Sequence, residues 1–342
     1  MWTGRIALVA AAGLSLLLSA CGPESPPPVA SAPPRIAPPA MSPIPAVGLS
    51  DSLIQQASAY RAYMARASAI SPAFTDGGSV ANAVRTGAAY EPQTFLRGAV
   101  ANAAIAALQD REFVTALRAQ ARDPASRRAL ANNIIANPAF VFSFPGANDA
   151  AALAAGALKG DGLRLYMAGK AVKQSAYDVQ RQAWSKASVD NRDGRLAAAK
   201  SLSATPAQSA PDETSRLQAA ISGVAPMPVA PDPVARAPYA GLVARAVSLA
   251  ALAAIGEAGD ANVGVIASTL SDQDSAYCLS MAKLNLYQCL AVAKPHYEDV
   301  FCLGQHIMLD TGACLIRGAG AAPPIEVRPP AIPLPPARAP RG

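Results

Sequence analysis

The side chains best equipped for bond-forming chemistry crowd into one stretch. Four of the five cysteines, Cys278, Cys289, Cys302 and Cys314, and both histidines, His296 and His306, lie within residues 278–314. The spacing reads Cys-x10-Cys, twelve residues, then Cys-x11-Cys. A tetrathiolate zinc site uses short pairs such as Cys-x2-Cys, and a thiol redox centre uses Cys-x-x-Cys. Neither spacing occurs here. Structural disulfides fit, and helix geometry selects their pairing. Eleven residues at about 100° each return to nearly the same face after three turns, so Cys278 and Cys289 share one side of a helix, about 16 Å apart. Pro295 marks a turn. Cys289 and Cys302 are nearly equidistant from it, as are Cys278 and Cys314. An antiparallel hairpin folded there predicts two nested bridges, Cys289–Cys302 and Cys278–Cys314, one of the three pairings that four cysteines allow. The alternative chemistry for this hairpin is a metal or small-ligand site on His296 and His306, with Cys302 and Glu298 nearby. The pattern calls for no cofactor.

The elements that must position these groups are helices. Ser271-Asp272-Gln273-Asp274 reads as a capping box opening the first. The second is expected to follow Pro295 and to fade at Thr311-Gly312, just before Cys314. Over about 40 residues the arrangement resembles the twin Cys-x9-Cys hairpins of the coiled-coil-helix-coiled-coil-helix domains. The resemblance is one of geometry, because ten and eleven residues here replace their nine.

The fifth cysteine sets the compartment. Met1 to Arg5 carries one positive charge, and Ile6 to Leu18 is apolar apart from Gly13 and Ser15. That is the layout of a secretory signal, and the run is too short to span a bilayer. It closes on Leu18-Ser19-Ala20-Cys21, which resembles the lipobox of bacterial lipoproteins. The resemblance implies cleavage before Cys21, a diacylglycerol thioether on its sulfur and a further acyl chain, such as palmitate, on its new amino group. Two or more chains anchor stably. Gly22, where Asp would retain such a protein at the inner membrane, implies a lipid anchor in the outer membrane facing the periplasm. Export would also supply the oxidising surroundings that disulfides need.

Composition points to an all-α fold. Apolar residues make up 51% of the 342, aromatics only 5% and charged residues 15%. Alanine, the best helix former, dominates. Prolines cluster: ten from Pro23 to Pro45, seven from Pro206 to Pro238 and eight from Pro323 to Pro340. The predicted organisation is a signal peptide at 1–20, a lipid anchor and Pro-rich tether at 21–49 and a helical bundle domain at 50–204. A Pro/Ala linker at 205–238 leads to a second helical domain at 239–318 holding the hairpin, and a basic Pro-rich tail fills 319–342. Leu53, Ala57, Tyr60, Met64 and Ala67 recur at helical spacing as a core face. Phe140, Phe142 and Phe144 read as an extended segment or a buried aromatic plug. A long helix is expected from about 148 to 188, bent near Gly160-Asp161-Gly162, burying Leu163, Met167, Val172, Ala176, Val179 and Ala183. Asp190 to Gly194 suggests a calcium loop, but counting back from Gly194 puts Val189 first and Lys200 twelfth, where an EF-hand needs oxygen ligands.

Function is less legible. No Gly-x-Ser-x-Gly elbow, His-Glu-x-x-His pair, Walker loop or dinucleotide fingerprint is present. The net charge of +6 favours anionic surfaces, and no nucleic-acid motif appears. The leading expectation is a non-enzymatic structural, adaptor or assembly lipoprotein. Its partners would be the membrane, through Cys21, and envelope proteins or peptidoglycan. The alternatives are a cell-wall-active enzyme or its regulator, and a small-ligand or metal binder.

Overall fold

Acceptor side chains and prolines set the helix starts. The computed structural model describes residues 46–325, so the signal segment, Cys21, most of the tether and the tail beyond Ile325 lie outside the described residues. The first helix, α1 (Asp51–Ser68), opens where the Ser50 hydroxyl accepts from the Leu53 amide. Asp76 caps α2 (Gly77–Ala88) in the same way. Glu91, followed by Pro92, opens α3 (Pro92–Ala107). Such side chains satisfy amides that the first turn leaves without partners. All five predicted core positions of α1 are buried.

Two short helices follow, α4 (Arg111–Gln120) and α5 (Pro124–Ala136). The phenylalanine segment is then a 3-10 turn, Pro138–Ser143, and is not extended. Its Phe140 ring stands edge-on to Phe144, and Phe142 meets Tyr239. Next comes α6 (Ala147–Asp178), 32 residues without interruption. It runs through Gly160–Gly162 without a break, and Gly162 serves a helix contact. Val172, Ala176 and Val179 are buried, whereas Met167, about 140° around the helix from Val172, is 54% exposed. Ala183 is exposed too, in the separate short α7 (Ala183–Lys186). The remaining helices are α8 (Arg192–Ser203), α9 (Pro211–Ile221), α10 (Gly241–Ala254), α11 (Val263–Ile266), α12 (Gln273–Val292), α13 (His296–Cys302) and α14 (Asp310–Gly318). No strand occurs among the described residues.

The two helical regions do not form separate domains: the described residues, 46–325, belong to one compact unit. In α3 and α10 nearly every residue is buried, so both run through the centre. A helix that is apolar all round needs neighbours on every side. For α10 these include α3, α6 and the Phe-bearing turn. The segment expected to be a linker is a strap on the same body. Leu217 and Met227 are buried, the Asp232 amide donates to the Ala152 carbonyl at 2.8 Å, and Lys159 grips the buried Asp232 carboxylate at 3.0 Å. Proline kept this stretch out of long helices without keeping it off the core.

Against α6 runs a helical rod made of α13, a π-helical stretch over Leu303–Leu309 and α14. The two rods are antiparallel and meet backbone to backbone. A Cβ on Gly162 would stand 2.8 Å from the Gly312 carbonyl oxygen, and one on Gly312 would stand 2.7 Å from that of Gly162. Gly169 and Gly304 make a second close approach farther along. Helix α14 therefore continues through Thr311-Gly312 to Gly318, where the sequence reading had it fade, because the glycine is a contact and not a stop.

Candidate functional site

Both predicted disulfides are present, Cys278–Cys314 and Cys289–Cys302, each with Cα atoms 5.7 Å apart. They join α12 to the α13–α14 rod as nested rungs on either side of the Pro295 turn. Helix α8 secures that turn. Arg192 donates to the carbonyls of Ala293 (2.8 Å) and Ala291 (2.9 Å), and Arg195 donates to that of Leu290. These are C-terminal carbonyls of α12 that lack helical partners, and a cation there also suits the helix dipole. Arg195 pairs in addition with the buried Asp299 of α13. Burial raises the Asp299 carboxyl above its usual range, and the Arg195 guanidinium opposes that rise. Backbone bonds from Val189 to Lys294 and from His296 to Ala187 complete the seam. The rejected calcium-loop sequence thus has a structural role: Asn191 caps α8, and Arg192 terminates α12.

The histidines are not brought together. They sit ten residues apart on one rod, about 15 Å along its axis. The His296 ring packs over Gly77 and beside Trp184. His306 Nδ1 lies 2.8 Å from an Asp310 carboxylate oxygen, whose partner oxygen accepts from Gln305 at 2.9 Å. Among the described residues no three His, Cys, Asp or Glu side chains cluster as a metal site would require. This overturns the metal reading of His296 and His306.

Lys283 escaped the sequence reading. It is 5% exposed, its ammonium donates to the Ala88 carbonyl at 2.8 Å, and it lies 3.3 Å from the centre of the Tyr90 ring. The signal was available: Leu279, Lys283, Leu286 and Leu290 recur at helical spacing, so the lysine lies on the buried face. Burial pushes its pKa well below the usual lysine range, with Glu91 opposing. The unfolded chain therefore binds the proton more tightly. Stability is expected to rise as pH climbs from the depressed folded value towards about 10, the unfolded value. Urea midpoints between pH 7 and 9.5 should show this rise, and Lys283→Met should abolish it. A rise that persists in the variant would assign it to other groups.

Two surfaces of the hairpin are open to partners. Helix α12 has only two charged side chains, Asp274 and the buried Lys283. Its outer face carries Tyr277 (69% exposed), Ser280, Leu284 (43% exposed), Gln288 and Ala291. Beside the inner bridge, between α6 and α13, lies a cleft of about 360 Å³ lined by Tyr177, Val292, Tyr297, Glu298 and Phe301. The Tyr177 and Phe301 rings meet at 79°, with centroids 6.3 Å apart. The Lys173 ammonium stands 5.7 Å from the Phe301 ring. No protein-family model, curated protein or solved structure matches this chain.

Proposed function

We propose that this chain is a lipoprotein anchored through Cys21 in the outer membrane, facing the periplasm, and that it works without catalysis as an adaptor or assembly factor. The observation that carries this reading is the uncharged face of α12, held on a hairpin fixed by two disulfides. Exposed Tyr277 and Leu284 stand there among the small or uncharged Ser280, Gln288 and Ala291, and tyrosine is enriched where proteins meet. The bridges fit an exported protein. Hydrolysis of cell-wall glycan would need carboxylates converging on a cleft. The buried Asp161 and Asp299 instead each face an arginine, and where Asp149 and Asp232 line one cleft, Lys159 holds the Asp232 carboxylate in an ion pair.

A photo-crosslinking residue at Tyr277, used in intact envelopes, is expected to capture one dominant protein, and Leu284→Glu should abolish that capture. Cys21→Ser should shift the chain from the membrane to the soluble fraction. Capture no stronger than from a polar control position such as Arg85 would defeat the adaptor reading. Membrane retention of the serine variant would defeat the anchor.

A further inference from the structure

The cleft beside the inner disulfide borders the C-terminal end of α12, away from Tyr277, and the chain itself holds a segment chemically suited to it. At its C-terminal end α14 is closed by glycine: Gly320 takes φ +84°, the Ala321 amide donates to Ile316 and the Gly320 amide to Arg317. That is the Schellman arrangement, in which the chain reverses after a left-handed residue. Because Gly312 abuts Gly162, α14 points away from Tyr177 as it runs to Gly318. The reversal undoes that course. Ala321 packs with Tyr166, Leu309, Ala313 and Ile316, and the Tyr166 hydroxyl donates to the Pro324 carbonyl at 2.9 Å. The next residue, Ile325, is 87% exposed. The chain is thus delivered onto α6 at Tyr166, heading towards its C-terminal end.

From there a stripe of α6 leads to the cleft: Leu163, Tyr166, Lys170, Lys173 and Tyr177 recur at steps of three and four on one face. Tyr177 lies about 17 Å beyond Tyr166 along the axis. The sequence continues Glu326-Val327-Arg328-Pro329-Pro330-Ala331-Ile332-Pro333. In polyproline II, at about 3.1 Å per residue, Pro329 to Pro333 fall about 16–28 Å past Pro324, which is the level of the cleft. That conformation has three residues per turn. Val327, Pro330 and Pro333 would then share one face and Pro329 and Ile332 a second. Aromatic-lined grooves take such segments because the ligand is already extended and loses little entropy on docking. We infer that the segment Pro329–Pro333 of this same chain docks in the Tyr177–Tyr297–Phe301 cleft and competes there with any external proline-rich ligand.

Hydroxyl-radical footprinting of the full chain tests this against a full-length variant with Pro329, Pro330, Ile332 and Pro333 all changed to serine. The variant is expected to show at least a threefold rise in oxidation of Tyr177, Tyr297 and Phe301, with Tyr277 on the α12 face unchanged. Protection in the parent chain should survive a hundredfold dilution. Equal labelling of the two chains would overturn the inference. Protection lost on dilution would also overturn it, by assigning the cleft to a second copy.

Discussion

A chain carrying Cys278→Ala and Cys314→Ala is expected to lose about 3–4 kcal/mol of stability, more than one carrying Cys289→Ala and Cys302→Ala. The outer bridge joins residues 36 apart and the inner one residues 13 apart. In the chain-entropy picture these loops correspond to about 4 and about 3 kcal/mol. The contacts around each bridge widen the difference. The inner bridge sits beside a turn already held by Arg192, Arg195 and the backbone of residues 187–189. The outer bridge lies at the far end of the hairpin, where Arg317, α14 and α12 have no such clamp from α8. Removing both bridges should cost more than the two single losses added together, because in each single variant the remaining bridge still shortens the loop that the lost one closed. Urea denaturation of the three variants under non-reducing conditions reads this directly. A larger loss from the inner pair would mean that loop entropy does not set the scale. Unchanged midpoints would mean that packing alone holds the hairpin.

Two substitutions only two residues apart on α6 should act with opposite sign. Gly160→Ala is expected to stabilise by about 0.5–1 kcal/mol. Its added Cβ meets nothing within 4 Å, and alanine relieves the entropic cost of a mid-helix glycine. Gly162→Ala gains the same propensity but drives its Cβ onto the Gly312 carbonyl and the Ile316 backbone and side chain. These atoms belong to a rod that the outer disulfide fastens to α12, so it cannot swing away freely. Overpacking of this kind costs typically 1–3 kcal/mol. Gly312→Val should be worse, because it meets both the Gly162 carbonyl and the backbone of Tyr166. Thermal unfolding of the three variants separates the effects. If Gly162→Ala stabilises as Gly160→Ala does, the two rods are not in backbone contact.

Much of the hairpin could be read without coordinates because its logic is local. A rotation of 100° per residue and near-symmetry about Pro295 suffice to choose the disulfide pairing, and both depend only on spacing along the chain. The Lys283 environment was legible in principle from the Leu279, Leu286 and Leu290 face, but the sequence could not name Ala88 and Tyr90 as its partners. The two histidines show the opposite failure. Proximity in sequence suggested a shared site, and a continuous rod separated them by nearly three turns.

By itself, the sequence determined the all-α class, the start of α12 within Ser271–Asp274, where Asp272 and not Ser271 proves to be the cap, the buried face of α1 and the two bridges. Each rests on periodicity or on one side chain acting on its own turn. Only the tertiary structure decided that residues 50–204 and 239–318 share one core, that the proline-rich strap between them is packed down by Asp232 and Met227, and that the glycines of α6 and α14 are contacts. Alanine on every side of α3 and α10 gives these helices no phase to read, and a glycine looks the same whether it breaks a helix or lets another one approach. The partner across the interface distinguishes those cases, and that partner is set by the fold.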